Sequence, residues 1–316
     1  MRKLRLIPDN THFRFMRIRR VVFSTSIILS VLSVAIFIWI GPQYGIDFKG
    51  GTLIEMKPVS GSVELADVRT TLDGLELGDV QVQEVSDLST GTNILVRIQT
   101  QEGGEEAQQA AIARVRDTFT TGMEFRRVEI VGPRVSSELA FNGTVGVIVA
   151  LIGILIYVWF RFEWQFAIGA IVTTVHDVLM TLGFFTVFQL EFDLSSIAAL
   201  LTIVGYSLND TVVVYDRIRE NLRKFKSMAL SDLIDLSVNE TLSRTTMTSL
   251  TTLIALGALY LFGGPVIASF VDAMIFGIVI GTYSSIFIAA PLLIYLNLRV
   301  GRPSSEEAES GKPAEA

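Results

Sequence analysis

The stretch Gly205-Tyr-Ser-Leu-Asn-Asp-Thr-Val-Val-Val-Tyr-Asp-Arg-Ile-Arg-Glu-Asn221 starts inside a long apolar run and ends in a basic one. Between the two lies Asp210, two helical turns before the charges begin. Insertion scales put an aspartate at the centre of a membrane helix at about 2.5–3.5 kcal/mol. A carboxylate kept at that depth reads first as an ion or proton site. The plainer alternative is a hydrogen-bonding tie between helices.

The rest of the chain supplies the membrane. Half of its 316 residues are hydrophobic, too many for an ordinary soluble domain of this length. With no cysteine and only two histidines, His12 and His176, neither a disulfide framework nor a metal centre is expected. Walker, H-E-x-x-H, G-x-S-x-G and helix-opening G-x-G-x-x-G motifs are all missing. The expectation is therefore a protein that is not an enzyme, carries no cofactor and draws on an ion gradient.

Residues 1–20 hold seven Lys/Arg against one acid, Asp9, and read as a basic cytoplasmic N-terminus. Residues 21–40 form an apolar run long enough to cross about 30 Å of hydrocarbon as a first transmembrane helix. Residues 41–136 are acidic, with nine Lys/Arg against fifteen Asp/Glu over 41–137. Alternating runs at 52–57, 80–85, 93–100 and 123–131 read as strands, and 63–72 and 105–119 as helices. The order strand, helix, strand, strand, helix, strand suits a ferredoxin-like extracytoplasmic domain with one sheet face open for a partner.

Residues 137–298 carry five more apolar runs, at 139–160, 166–188, 194–214, 241–262 and 267–296. Arg217, Arg219, Arg223, Lys224 and Lys226 lie in what reads as a cytoplasmic loop, 217–239; the opposite connections, 189–193 and 263–266, hold no basic residue. Both termini are then expected in the cytoplasm. Within the loop, 231–239 suggests a short amphipathic helix at the interface, and 299–316 a disordered tail. The fold class is a polytopic α-helical membrane protein with six transmembrane helices and a small α+β ferredoxin-like domain.

Further polar groups enter the spans. The helical rise puts Asp210 about 10 Å, and Arg244 about 8–9 Å, from the same membrane face. Opposite charges at matched depth make a natural pair, the alternative being that Arg244 snorkels to the headgroups. Hydroxyls crowd around Arg244, among them Thr245 and Thr248, and favour a hydrated path or helix-to-helix bonds. His176-Asp177 is either a proton relay or a polar knot. Gly277-x-x-x-Gly281, like Gly143 and Gly146, marks close helix packing.

Gly45-Ile-Asp-Phe-Lys-Gly-Gly-Thr52, Val131-Gly-Pro133, His176-Asp177, the 205–221 stretch, Asn239-Glu-Thr-Leu-Ser-Arg-Thr-Thr-x-Thr-Ser-Leu-Thr-Thr252 and Gly281-Thr-Tyr-Ser-Ser-Ile-Phe-Ile-Ala289 stand out as motifs. Together they resemble the SecD/SecF family of bacterial protein-export membrane proteins, and its SecF branch most. The resemblance runs from about residue 15 to 300. It implies half of a resistance-nodulation-division transporter in the bacterial inner membrane, paired with SecD and associated with the SecYEG channel, YajC and YidC. That complex would use the proton-motive force for late preprotein translocation, without nucleic acid. Asp210 and Arg244 would belong to the proton pathway, with Asn209, His176, Asp177, Thr245 and Thr248 as supporting polar groups. The rival expectation is a structural accessory that stabilises SecD or the channel without conducting protons.

Overall fold

The computed structural model describes residues 11–59, 63–87 and 91–298. The expected tail at 299–316 and the first ten residues of the basic N-terminus lie outside them. The first span is α1 (Arg19–Trp39), followed by a two-residue strand, β1 (Gln43–Tyr44), and a single helical turn, α2 (Ile46–Lys49). A small α+β unit comes next: β2 (Gly51–Pro58), α3 (Leu65–Asp73), β3 (Val80–Asp87), β4 (Gly91–Ile98), α4 (Gly104–Phe119) and β5 (Met123–Val131). Its four strands pair antiparallel in the order β3-β4-β2-β5.

Side chains alternate across a strand, so Ile54, Met56, Val96 and Ile98 share one face. They pack there with Leu72 of α3 and with Ala111 and Val115 of α4. The other face, expected to stand open, is partly covered. Leu53, Gln81, Leu95 and Arg97 line a cavity of 260 Å³ whose far wall includes Phe188 and Gln189.

The remaining helices are α5 (Pro133–Arg161), α6 (Trp164–Val187), α7 (Leu194–Lys224), α8 (Leu230–Phe262), α9 (Ala268–Ser284) and α10 (Ala290–Tyr295). The strand β6 (Glu191–Phe192) lies between α6 and α7. A π-helical segment, Ser285–Ala289, joins α9 to α10 without a break. Among the described residues six helices are long and apolar enough to span a membrane, the last being α9 through α10. Half of the apolar window of α6, half of that of α7 and 61% of that of α9–α10 are buried, against 6% and 0% in α1 and α5. The bundle is thus centred on α6, α7 and α9, while α1 and α5 present apolar surface outward.

Two connections position α7. Asp193 and Ser196 form a capping box at its N-terminus, and Asp47 of α2 accepts a further bond from Leu194 N at 3.1 Å. These carboxylates lie at the positive end of the helix. β1 pairs in parallel with β6, so the chain after the first span is laced to the α6–α7 connection. Neither two-residue strand has a recognisable sequence pattern. The small unit is tied to the same connection by the Arg97–Glu191 ion pair, at 2.5 Å, with Arg97 also donating to Gln81. Burial raises the Glu191 carboxyl above the ordinary glutamate range, and the Arg97 charge opposes that shift.

The segment expected as a loop, 217–239, is mostly helix. α7 continues to Lys224 and α8 begins at Leu230, so the connection shrinks to 225–229. Residues 217–224 contain no glycine or proline, and basic residues suit a helix C-terminus. Arg217 bonds Glu240 at 2.7 Å, and Asn221 bonds Ser237 at 3.0 Å and Glu240 at 2.7 Å, which ties the two helices side by side. The separate amphipathic helix expected at 231–239 is likewise the first part of one continuous α8. Two of its polar residues face protein: Asp235 accepts from Met16 N, and Asn239 both accepts from Phe13 N and donates to Phe13 O.

Candidate functional site

On α8, Thr241, Thr245 and Ser249 are buried and fall four residues apart, on one helical face. That face meets α7 at Asp210, through Thr245, and at Tyr206, through Ser249; Asp210 is buried, as are Ser207 and Thr211 near it on α7. Asp210 is 5% exposed. Thr245 Oγ1 donates to its Oδ1 at 2.8 Å and Ser285 Oγ to its Oδ2 at 3.0 Å. Each carboxyl oxygen thus takes a hydroxyl from a different neighbouring helix. Tyr206 adds a bond to Ser249 one turn away, at 3.2 Å, and Ser249 reaches Thr282 at 2.7 Å.

Arg244 does not close an ion pair on Asp210. It is exposed in this chain, and among the described residues it makes no ion pair, although its charge lies within reach of Asp210. Matched depth was necessary for a pair and is not sufficient. One residue turns a helix by about 100°, so when Thr245 points at Asp210 its neighbour Arg244 points away. Thr248 is exposed too, and its hydroxyl bonds the carbonyls of Arg244 and Thr245 on its own helix. Asn209 is exposed beside Asp210 and has no hydrogen bond among the described residues.

His176 and Asp177 are both buried on α6, and His176 Nδ1 lies 2.9 Å from Asp177 Oδ1. Asp177 Oδ2 accepts from Ser207 of α7 at 2.5 Å and from Ser284 of α9 at 2.7 Å. Three side chains on three helices therefore converge on one fully buried carboxyl group, the geometry of a polar knot. Close packing makes the convergence possible. A Cβ on Gly277 would collide with Ile203, and one on Gly281 would press on Ser207. Gly143 similarly meets Ile197, whereas Gly146 faces open space.

The structure places Thr245, expected only as one of several supporting polar groups, on Asp210; Ser207, Ser284, Ser285 and Tyr215 were not singled out from the sequence. The signal was present in Gly281-Thr-Tyr-Ser-Ser285, two adjacent serines in an apolar run, which had been read only as part of a resemblance. Ser285 opens the π-segment, and Tyr215 Oη donates to Ala289 O at its other end, at 3.1 Å. π-Bulges are rare and frequent at functional sites.

Residues 111–299 match the family model described as "Protein export membrane protein SecD/SecF, C-terminal", and residues 40–58 match the "SecD/SecF GG Motif". The chain is 45% identical to the protein translocase subunit SecF of Cereibacter sphaeroides, over 96% of this chain and 95% of that one. Against the subunit SecF of Rickettsia bellii the identity is 44%, over 92% and 95%. Against the subunit SecDF of Brucella abortus it is 45%, over all of this chain and 41% of the longer relative. The crystal structure of SecDF from Thermus thermophilus, a translocon-associated membrane protein, superposes with a TM-score of 0.82 at 34% identity, covering 93% of this chain and 40% of that one. SecDF in its super-membrane-facing form gives 0.67 at 35% identity, over 96% and 40%.

Proposed function

This chain belongs to the SecD/SecF family of protein export membrane proteins, and on that premise we propose that it couples the proton-motive force to late preprotein translocation through Asp210. Its relatives are translocase subunits, and it is a multi-pass membrane protein. The observation that carries the proposal is how Asp210 is held. A carboxylate locked to arginine is kept ionised. One held by two hydroxyls has partners that can donate to the ionised form and accept from the protonated form. Asp210 can therefore take up and release a proton without leaving a buried polar atom stranded.

In this reading Arg244 supplies positive potential at the same depth from the outward side of α8. Asp177, saturated by three side chains, holds α6, α7 and α9 in register around the proton site. Since the chain spans about two fifths of the fused relatives it matches, its working partner is a second, SecD-type half. SecYEG, YajC and YidC are the wider assembly, and the setting is the bacterial inner membrane with both termini cytoplasmic. The small unit, with its β3-β4-β2-β5 order, is read as a ferredoxin-like domain on the extracytoplasmic side. It supports movement or substrate contact; the chain is not an enzyme.

A structural accessory role is the competing reading, and one observation favours it: Asp210 is also a tie between α8 and the π-segment. Proteoliposomes holding the chain with its SecD-type half separate the two. The coupling role predicts gradient-driven proton uptake that Asp210→Asn abolishes while the two halves still co-purify. Unchanged uptake in that variant supports the accessory.

A further inference from the structure

Ser284 and Ser285 stand side by side at the head of the π-segment, and each has one hydroxyl proton with two acceptors in reach. Ser284 Oγ lies 2.7 Å from Asp177 Oδ2 and 3.1 Å from Gly281 O. Ser285 Oγ lies 3.0 Å from Asp210 Oδ2 and 3.0 Å from Thr282 O. In both cases the second acceptor is the carbonyl three residues back on the same helix. The carboxylates differ: among the described residues Asp177 keeps His176 and Ser207 besides its serine, whereas Asp210 keeps only Thr245.

A hydroxyl donates one proton and accepts on its lone pairs. While Asp210 is ionised, its carboxylate is the stronger acceptor and draws the Ser285 proton. When a proton binds Oδ2, that oxygen becomes the donor toward Ser285 Oγ. The Ser285 proton then rotates to Thr282 O. One proton has joined the carboxyl group and one hydroxyl has turned; no other bond changes. A hydroxyl on a helix carbonyl competes with the backbone ladder, and Thr282 O lies one turn before the backbone enters its π-helical stretch. The other end of that stretch is tied to α7 by Tyr215, through a bond the proton does not touch.

Resting on the reading of Asp210 as a proton site, we propose that Ser285 is the positioning residue that passes the proton state of Asp210 into the backbone of the last span, by switching its hydroxyl between Asp210 Oδ2 and Thr282 O. The other charged or titratable groups around Asp210 are Arg244 on α8 and, across the serine pair, Asp177 and His176 on α6. Tyr206 and Tyr283 have their hydroxyls bonded to Ser249 and Ser26. α5 has no charged residue between Glu138 and Arg161, and α1 none after Arg20.

The test uses the full chain with its SecD-type half in proteoliposomes under an imposed pH gradient. Proton flux is followed with an entrapped dye. Infrared difference spectra follow the protonated-carboxyl C=O band, assigned to Asp210 by its loss in Asp210→Asn. Ser285→Ala is expected to cut flux about tenfold or more, the weight of one hydrogen bond to a charged group, and to move the band to higher frequency. Ser285→Thr keeps the hydroxyl and stays within about twofold of the parent, and Ser284→Ala leaves the Asp210 band in place. Parental flux with an unmoved band in Ser285→Ala overturns the inference, as does a Ser285→Thr variant impaired as badly as Ser285→Ala. If Ser285→Ala does not assemble, Ser285→Cys, a weak donor of similar shape, must shift the band and give intermediate flux; parental values overturn the inference. Failure of the underlying reading is separate: Asp210→Asn itself would then conduct protons like the parent, whatever the serine variants do.

Discussion

Asp177 and Asp210 are two buried acids served by neighbouring serines of the same helix, yet they are built for different work. Asp177 is fully enclosed and receives His176, Ser207 and Ser284. Asp210 is nearly as deep and, among the described residues, receives only Thr245 and Ser285. Saturation suits the first to fastening helices together. On the proposed function the second can change its charge, because its two partners are hydroxyls and Arg244 is turned aside. Between these two acids it is the chemistry of the partners, not depth, that carries the proposed distinction.

The contrast breaks first at Asp177. Replacing it with alanine leaves buried His176 and Ser207 without this partner and Ser284 with its helix carbonyl alone, and the expected loss is about 3–5 kcal/mol, read as a lowered thermal unfolding midpoint in detergent. Asp210→Asn keeps an acceptor and offers an amide that either hydroxyl can accept from, so its stability should fall by less than about 1 kcal/mol. Equal losses in the two variants would dissolve the distinction.

A second region sharpens it from outside the membrane. Glu191 is a half-buried acid, but it is paired with Arg97. Because burial holds its carboxyl above the ordinary glutamate range, the folded state binds its proton more tightly than the unfolded chain does. The stability it contributes is present on the acid side of that range and is lost as pH rises through the raised value. Hydrogen exchange of the β1 and β6 amides should therefore quicken as pH climbs through this window, beyond the intrinsic rise. Glu191→Gln should flatten that excess; an unchanged profile would remove Glu191 as its cause.

The smallest effects belong to exposed polar residues near the site. Asn209→Ala and Thr248→Ala touch no bond to Asp210, so each should change stability by no more than about 0.5 kcal/mol and leave export near the parental level. A large loss from either would mean that the outward face of α7 or α8 takes part.

Much of this was legible in the sequence. Six apolar runs announced six spans, and the alternation at 123–131 gave β5 its observed bounds. Asp210 stood out because depth and residue type are one-dimensional properties, whereas Thr245 was only one hydroxyl among several around Arg244. What failed was direction around the helix axis: Arg244 and Thr245 share a depth and face different ways, which no depth argument resolves. The charges at 217–224 and 231–239 suggested a loop and a separate helix. They proved to be partners, Arg217 with Glu240 and Asp235 with the backbone of Met16, inside two long helices. Ser284 and Ser285 were passed over because serine in a membrane helix is inexpensive. Their meaning comes only from the two acids that the fold brings beside them.

On the proposed function, protonation of Asp210 is the step that draws on the gradient. Its most direct test is preprotein export into inverted membrane vesicles, parent against Asp210→Asn, each with and without an uncoupler. The uncoupler is expected to slow the parent, and Asp210→Asn to run at the uncoupled rate from the start with no further effect of the uncoupler. An Asp210→Asn variant that exports at the parental rate and is slowed equally by the uncoupler would contradict it.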